Sequence, residues 1–373
     1  MNGLPSTSDP GAASQSVRRF ALIVLAMGLL LIWWGAATTT KQAGMAFADW
    51  PLSLGSVNPP GWLSYMVPFL EHSHRLLATA VGLLVLTLFV MVYGRSGKRI
   101  LEIVLLVGSL AVVFAVFIVA GAERSDAARK SAALLLGLSL SLVPIGWLVW
   151  SWAKRGWPLL TKLSALALLM VTTQAILGGL RVTEVSDFFA VLHGCLGQAF
   201  ICVLLLIVLV TRPGWTSFGM GHAAASVKWV RRAAIVLLSL TSSQLIFGAS
   251  MRHFHREGLA DTGLLRTDGQ WIPSFDEPIL TVMFLHKANG WLILVAVVGL
   301  LVLMQRLGFV AGSGLRHVRI ILLALLVQIG LGLAVIATGK HFWLTNFHVL
   351  NGLLILALVF ILVVRASKRV TTE

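Results

Sequence analysis

The chain has 373 residues, 58% of them hydrophobic and 12% charged, with a mean hydropathy of +0.91, a composition that excludes a soluble globular domain. A net charge of +15 and a pI near 11.0 raise nucleic acid as a partner. Lys and Arg are scattered over short segments, however, with no basic domain and no interleaved aromatics, and nucleic acid is excluded. What remains is a polytopic membrane protein.

A hydrocarbon core of roughly 30 Å requires about 20 mostly apolar residues per helix, and ten such runs are predicted. A polar tail over 1–19, ending in Arg18 and Arg19, precedes the first run at 20–38. Trp33 and Trp34, with no small-residue cleavage site, make that run an anchor rather than a signal peptide. The others fall near 74–94, 102–120, 131–152, 162–180, 189–210, 233–251, 279–304, 318–338 and 345–365. With both termini cytoplasmic, basic residues such as Arg95, Lys154, Lys228, Arg306 and Lys368 lie inside. The whole net charge of +15 then sits on that side, as cytoplasmic loops retain Lys and Arg. Cys195 and Cys202, seven positions apart on one helix, are about 10 Å apart and beyond disulfide reach, so they are expected to be packing residues.

Two halves of the chain repeat one another. Gly35 to Ala37 and Gly44 to Asp49, after the first span, match Gly248 to Ser250 and Gly258 to Asp261, after the seventh. Each stretch leads through a loop to a histidine followed by a base, His74 with Arg75 and His286 with Lys287. Gln174 to Leu180 then matches Gln328 to Ala334, and His193 or His348 follows 19 or 20 residues beyond the glutamine. The paired histidines are 119 residues apart in the first half and 62 in the second. That surplus matches two inserted spans near 102–120 and 131–152. An even insertion leaves the topology of everything downstream unchanged.

His74, His193, His286 and His348 open the second, sixth, eighth and tenth spans, which run parallel, from the outer face inward. Parallel helices that present imidazoles at one level can clamp a planar macrocycle, so two bis-histidine haem sites are expected near the outer face. Gly194, Gly197 and Gly290 would admit a flat ring, and Arg75 and Lys287 could meet haem propionates. Zinc would require more ligands close together, and copper would recruit Met or Cys. His222 and His317 are expected to be solvated in inner loops, and His341 to sit in an outer turn. His72, two residues before His74, points elsewhere on the helix. His253 and His255, with Arg252 and Arg256, open the large outer loop over the second site, where guidance of electrons, protons or propionates stays open.

One acidic residue separates the halves. Glu71 precedes His74 by one helical turn and shares its face, whereas the matching position in the second half is Met283. A carboxylate beside a cofactor at the membrane interface is costly to bury and suited to proton transfer. The bland alternative is a charge favoured by the helix macrodipole. The asymmetry nominates the first half as the reactive site and the second as a cofactor site.

From about Gly35 to Leu358, excluding the insert, the chain resembles the haem A synthase family, membrane enzymes that convert haem O to haem A. The resemblance rests on Gly35 with Gly44, Met45 and Asp49-Trp50-Pro51, on Glu71 with His74 and Arg75, and on Gly178 to Leu180 leading to His193. Arg252-His253 with Gly258 to Ala260, His286 and His348 complete it. It implies an all-α polytopic fold of two pseudo-symmetric four-helix bundles, here with an inserted pair of helices, ten in all. It also implies haem b on His286 and His348, and haem O held by His74 and His193. Glu71 would assist oxidation of a ring methyl, through hydroxylation steps, to a formyl group. The chain departs from the family in its two extra helices, in His72 where an aromatic residue is common, in Lys287 where Arg is common, and in lacking a cysteine pair in the first outer loop.

The expected organisation is a cytoplasmic tail over 1–19 and a substrate-haem half over 20–211, with inserted helices at about 100–155. A cytoplasmic linker over 212–231, a haem b half over 232–366 and a tail over 367–373 follow. Expected partners are haem O synthase, a membrane or soluble electron donor, the lipid bilayer of the inner membrane and a second copy of the chain. Two other classes fit part of the pattern. A quinol-linked electron-transfer cytochrome would hold two permanent haems b and have no need of Glu71 in one half only. A haem transporter would show broken helices and mid-membrane charges.

Overall fold

The computed structural model of the chain describes residues 15–94, 99–122, 127–215, 218–220, 223–254, 263, 265–309 and 313–368. These form ten helices, with no strand among the described residues: α1 (Gln15–Thr40), α2 (Met66–Tyr93), α3 (Ile100–Ala122), α4 (Ala127–Lys154), α5 (Leu159–Thr183), α6 (Asp187–Thr211), α7 (Ala224–Phe254), α8 (Pro278–Arg306), α9 (Ser313–Ala337) and α10 (Phe342–Ser367). Each is long and apolar enough to cross a bilayer, so the fold is all-α and polytopic. His222, His255, Arg256 and the stretch from Gly258 to Asp261 lie outside the described residues.

Local chemistry sets the ends of these helices. Ser186 accepts a hydrogen bond from the Phe189 N–H at 3.3 Å and Asp187 occupies the first turn of α6, satisfying free donors and the helix dipole. Pro278 opens α8, where its missing N–H costs nothing. The chain leaves α8 and α9 through Gly308 and Gly339, at φ 79° and 61°, a left-handed conformation that suits glycine.

Helices α1, α2, α5 and α6 pack as one four-helix group and α7 to α10 as another. Val85, Leu88, Phe89, Ile201, Leu204 and Ile207 fill the core of the first. Val297, Leu300, Met304, Ile321, Val359 and Leu362 fill that of the second. Helices α3 and α4 pair with each other and lean on the first group. At one end Trp50 packs on Phe117 of α3, with ring centres 5.2 Å apart. At the other, Tyr93 meets Trp147 and Trp157, and Arg155 pairs with Glu102 at 2.7 Å. The two groups join through α1 and α6 against α7 and α10; Arg252 of α7 donates to Ala36 O and Thr40 Oγ1 of α1, both at 2.5 Å.

The repeat extends to the loops before α2 and α8. Ser53 and Ser56 bridge across one turn, and Thr267 and Gln270 across another. Their central residues, Leu54 and Gly55 or Asp268 and Gly269, have φ of 52° and 71° or 51° and 71°. Positive φ at both central positions is the mark of a type I′ turn.

Candidate functional site

The four histidines gather at the end of the molecule where these loops lie. They do not open their helices: His74 and His286 are the ninth residues of α2 and α8, and His193 and His348 the seventh of α6 and α10. At about 1.5 Å per residue the rings lie roughly two to two and a half turns inside. The helices begin before the continuously apolar run because residues such as Glu71 and Ser73 remain helical under the loop.

Each imidazole rests on a glycine of the preceding helix in its pair. A Cβ on Gly35 would lie 3.0 Å from Cε1 of His74, and on Gly178, Gly248 or Gly332 it would lie 3.2 Å from Cε1 of His193, His286 or His348. A larger residue would push the ring aside, because close-packed interiors have little slack. Three of these glycines follow a glutamine by one turn. Gln174, Gln244 and Gln328 each donate an amide hydrogen bond to the main-chain carbonyl of the facing histidine, His193, His286 or His348, at 2.9, 3.0 and 3.0 Å. Four residues beyond each of these histidines stands another glycine, Gly197, Gly290 or Gly352, whose missing side chain makes room for the glutamine amide. Leu31 and Ala78 occupy the corresponding positions around His74. Gly194, by contrast, has no heavy atom near the place a Cβ would take.

The ring orientation suits metal binding. His193 Nδ1 donates to the main-chain carbonyl of Gln174 at 3.1 Å. Nδ1 of His286 and of His348 is buried with no hydrogen-bond partner. A carbonyl at Nδ1 selects the tautomer that leaves Nε2 for a metal. The ring centres of His286 and His348 are 6.4 Å apart. Two imidazoles that each bind one metal ion at about 2 Å place their ring centres roughly 6 Å apart, so this pair is spaced as two residues that would hold a haem iron between them. His74 and His193 lie within electrostatic range of one another. Among the described residues no three His, Cys, Asp or Glu side chains converge, and the donor sets are pairs of imidazoles.

Glu71 is 3% exposed and lies beyond the first turn of α2, so the helix dipole does not account for it. Its Oε2 accepts the N–H groups of Ala46 and Phe47, and its Oε1 pairs with Arg75. Arg75 donates onward to Asp49 O at 2.5 Å, Leu52 O at 2.6 Å and Phe47 O at 3.1 Å. In the second half Lys287 donates to Gly263 O and Arg266 O, both at 2.8 Å, the carbonyls at matching places beside the repeated turn. The base after each histidine is thus a tie to the loop. One residue on from the histidine is about 100° around the helix, which directs the base away from the face the imidazole uses.

His72 is also buried, holding Ser53 Oγ at 2.9 Å and Val57 O at 3.1 Å; it faces the loop, as its offset from His74 requires. His341 precedes α10 as its cap residue, and His253 is buried near the end of α7. His317 is not in a solvated loop but within α9, with Nε2 2.9 Å from Leu358 O; its helix begins earlier than the apolar run. Cys195 and Cys202 are free thiols. Sequence reasoning missed Gln244, Asn289 and Asn351, although Gln-x-x-x-Gly occurs three times in register. Asn289 and Asn351 donate to Gln244 Oε1 and Gln328 Oε1, both at 2.8 Å.

Fold and site together define a ten-helix membrane protein with two histidine pairs in repeat register. The chain belongs to the COX15-CtaA family of cytochrome oxidase assembly proteins, whose model matches residues 132–360, and this is the haem A synthase family. Its role is in cytochrome oxidase assembly, through haem A synthesis. The matched segment includes His193, His286 and His348; Glu71 and His74 precede it. No curated protein matches the chain.

Proposed function

We propose that the chain oxidises a ring methyl of haem O to a formyl group through hydroxylation steps, with haem b between His286 and His348 and haem O between His74 and His193. The observation that carries this reading is the 6.4 Å separation of the His286 and His348 rings, in a seat of glycines repeated at all four histidines. When bound, haem b supplies one-electron redox chemistry. The chain's own residues hold and orient. The glycines let each imidazole sit close to the neighbouring backbone, and Arg75 ties the loop before α2 to the helix that carries His74. Glu71, one turn from His74, supplies a buried carboxylate in the first half alone, suited to proton transfer at the substrate.

This reading divides the chain into a substrate half at 20–211 and a haem b half at 232–366. It places both termini on the cytoplasmic side of the inner membrane and the histidines toward the outer face, following the basic loops. It calls for haem O delivered by a haem O synthase and, because methyl to formyl is a four-electron oxidation, for an oxidant of the dioxygen class. Each hydroxylation puts one oxygen atom on the carbon, while two electrons from a donor and two protons reduce the other to water. Loss of water from the second hydroxylation product leaves the formyl group. The test is expression with a haem O synthase in a host lacking haem A, followed by extraction and mass identification of the non-covalent haems. Haem A or its hydroxylated precursor is the expected result. Haem b alone at two per chain, with haem O untouched, would overturn the proposal in favour of an electron-transfer cytochrome.

A further inference from the structure

The two histidine pairs differ in what holds their helices together. Around His286, Gln244 Nε2 donates to His286 O at 3.0 Å, while Asn289 Nδ2, one turn beyond the histidine, donates to Gln244 Oε1 at 2.8 Å and to Leu240 O at 2.9 Å. Around His348 the same device recurs. Gln328 Nε2 donates to His348 O at 3.0 Å, and Asn351 Nδ2 donates to Gln328 Oε1 and Ala324 O, both at 2.8 Å. Gln328 Nε2 also lies 3.3 Å from His348 Nε2, a contact that a metal at that nitrogen would displace. Each amide pair fixes the ligand's helix against its neighbour in rotation and in height. In the first pair only Gln174 is present: it reaches His193 O at 2.9 Å, but its Oε1 is buried with no hydrogen-bond partner. Leu196 stands where Asn289 and Asn351 do, and His74 has Leu31 and Leu77 in place of both amides; α1 and α2 are joined there without an amide pair, through Trp34 Nε1 to Ser73 Oγ at 2.7 Å and Thr38 Oγ1 to Leu70 O at 3.2 Å.

Resting on the bis-histidine reading above, we propose that the amide pairs Gln244–Asn289 and Gln328–Asn351 make the second histidine pair a retention site. The lack of a complete pair at His193 and His74 makes the first an exchange site, which must take up one tetrapyrrole and release another in each cycle. The four amides are positioning residues; they act on the ligand helices and not on the reacting atoms. Helix rotation is the motion they oppose, and a ligand that cannot rotate away releases its iron slowly.

The test uses the full-length chain in lipid nanodiscs, loaded with haem b at both sites and mixed with excess apomyoglobin as haem acceptor. Release is expected in a fast and a slow phase, the fast one lost in His193→Ala and the slow one in His286→Ala. Leu196→Asn gives the unpartnered Gln174 Oε1 its missing donor and is expected to slow the fast phase at least tenfold. Asn289→Leu combined with Asn351→Leu is expected to quicken the slow phase at least tenfold. The double variant should also broaden the low-spin electron paramagnetic resonance signal of the slow haem, because the 53° angle between the His286 and His348 rings is no longer held. A fast phase unmoved by Leu196→Asn, or a slow phase unmoved by the double substitution, overturns the proposal, as does a single phase in the unaltered chain. Failure of the unaltered chain to bind haem b, or release insensitive to both histidine substitutions, would instead overturn the bis-histidine reading beneath it.

Discussion

The first and second histidine pairs share helices, glycine seats and loop turns, yet their polar atoms are placed differently. Six amide hydrogen bonds between helices surround the second pair, whereas at the first the glutamine donates only one, to His193 O. At about 0.6 kcal/mol for each inter-helix bond within a membrane, the six restrain the second pair by roughly 3–4 kcal/mol, against roughly 2 kcal/mol at the first from the bonds of Gln174 with His193, Trp34 with Ser73 and Thr38 with Leu70. The first pair has further polar groups toward its loop, in Glu71, Arg75, His72 and the loop atoms they hold. One scaffold thus carries amide pairs beside one pair of histidines and a buried carboxylate beside the other.

The sharpest way to break this comparison is to remove one key side chain from each half. His286→Ala is expected to abolish the resident haem b completely, measured as haem per chain; unchanged content would sink the assignment. Glu71→Ala is expected to abolish formyl formation while haem b stays bound, so loss of haem b from that variant would mean that the halves are not separable. A smaller effect should follow from filling a glycine seat. Gly332→Ala puts a methyl 3.2 Å from the His348 ring, and a displaced ligand should weaken haem b binding about tenfold, or roughly 1.4 kcal/mol. Gly194→Ala, which meets no heavy atom within 4 Å, should leave binding unchanged, and equal effects of the two would remove the seat from the argument. The smallest effect is expected from Lys287→Ala, which frees two loop carbonyls at a cost of about 1–2 kcal/mol, seen as faster amide hydrogen exchange near Thr267 with haem content intact. Arg75→Ala should loosen its loop further, because it strands the buried Glu71.

Much of this was legible in the chain's letters. The ten spans follow from hydropathy, since the bilayer imposes length and composition directly. The four histidines stood out because isolated polar residues recur at matched places in apolar runs. Their depth did not, because Met66 to Ser73 is amphipathic enough to read as loop yet continues the helix. Arg75 and Lys287 read as partners for an anion, and only the folded loop reveals that backbone carbonyls reach them first. Asn289 and Asn351 were missed for a related reason. A single Asn in an apolar helix has no periodicity of its own, and it acquires meaning only beside the glutamine of another helix. The turn at Asp268 and Gly269 carried a recognisable hairpin signal, but its twin at Leu54 and Gly55 did not, so the symmetry of the loops emerged only in three dimensions.

The tie between the base after His74 or His286 and the loop turn has a mechanical consequence. Arg75 and Lys287 act as cranks: a rotation of α2 or α8 that swings the imidazole must drag the turn at Ser53 to Ser56 or Thr267 to Gln270 with it, or snap the bonds to it. A shift of either imidazole would thereby be passed along its own helix to a hairpin tip some distance away in the chain.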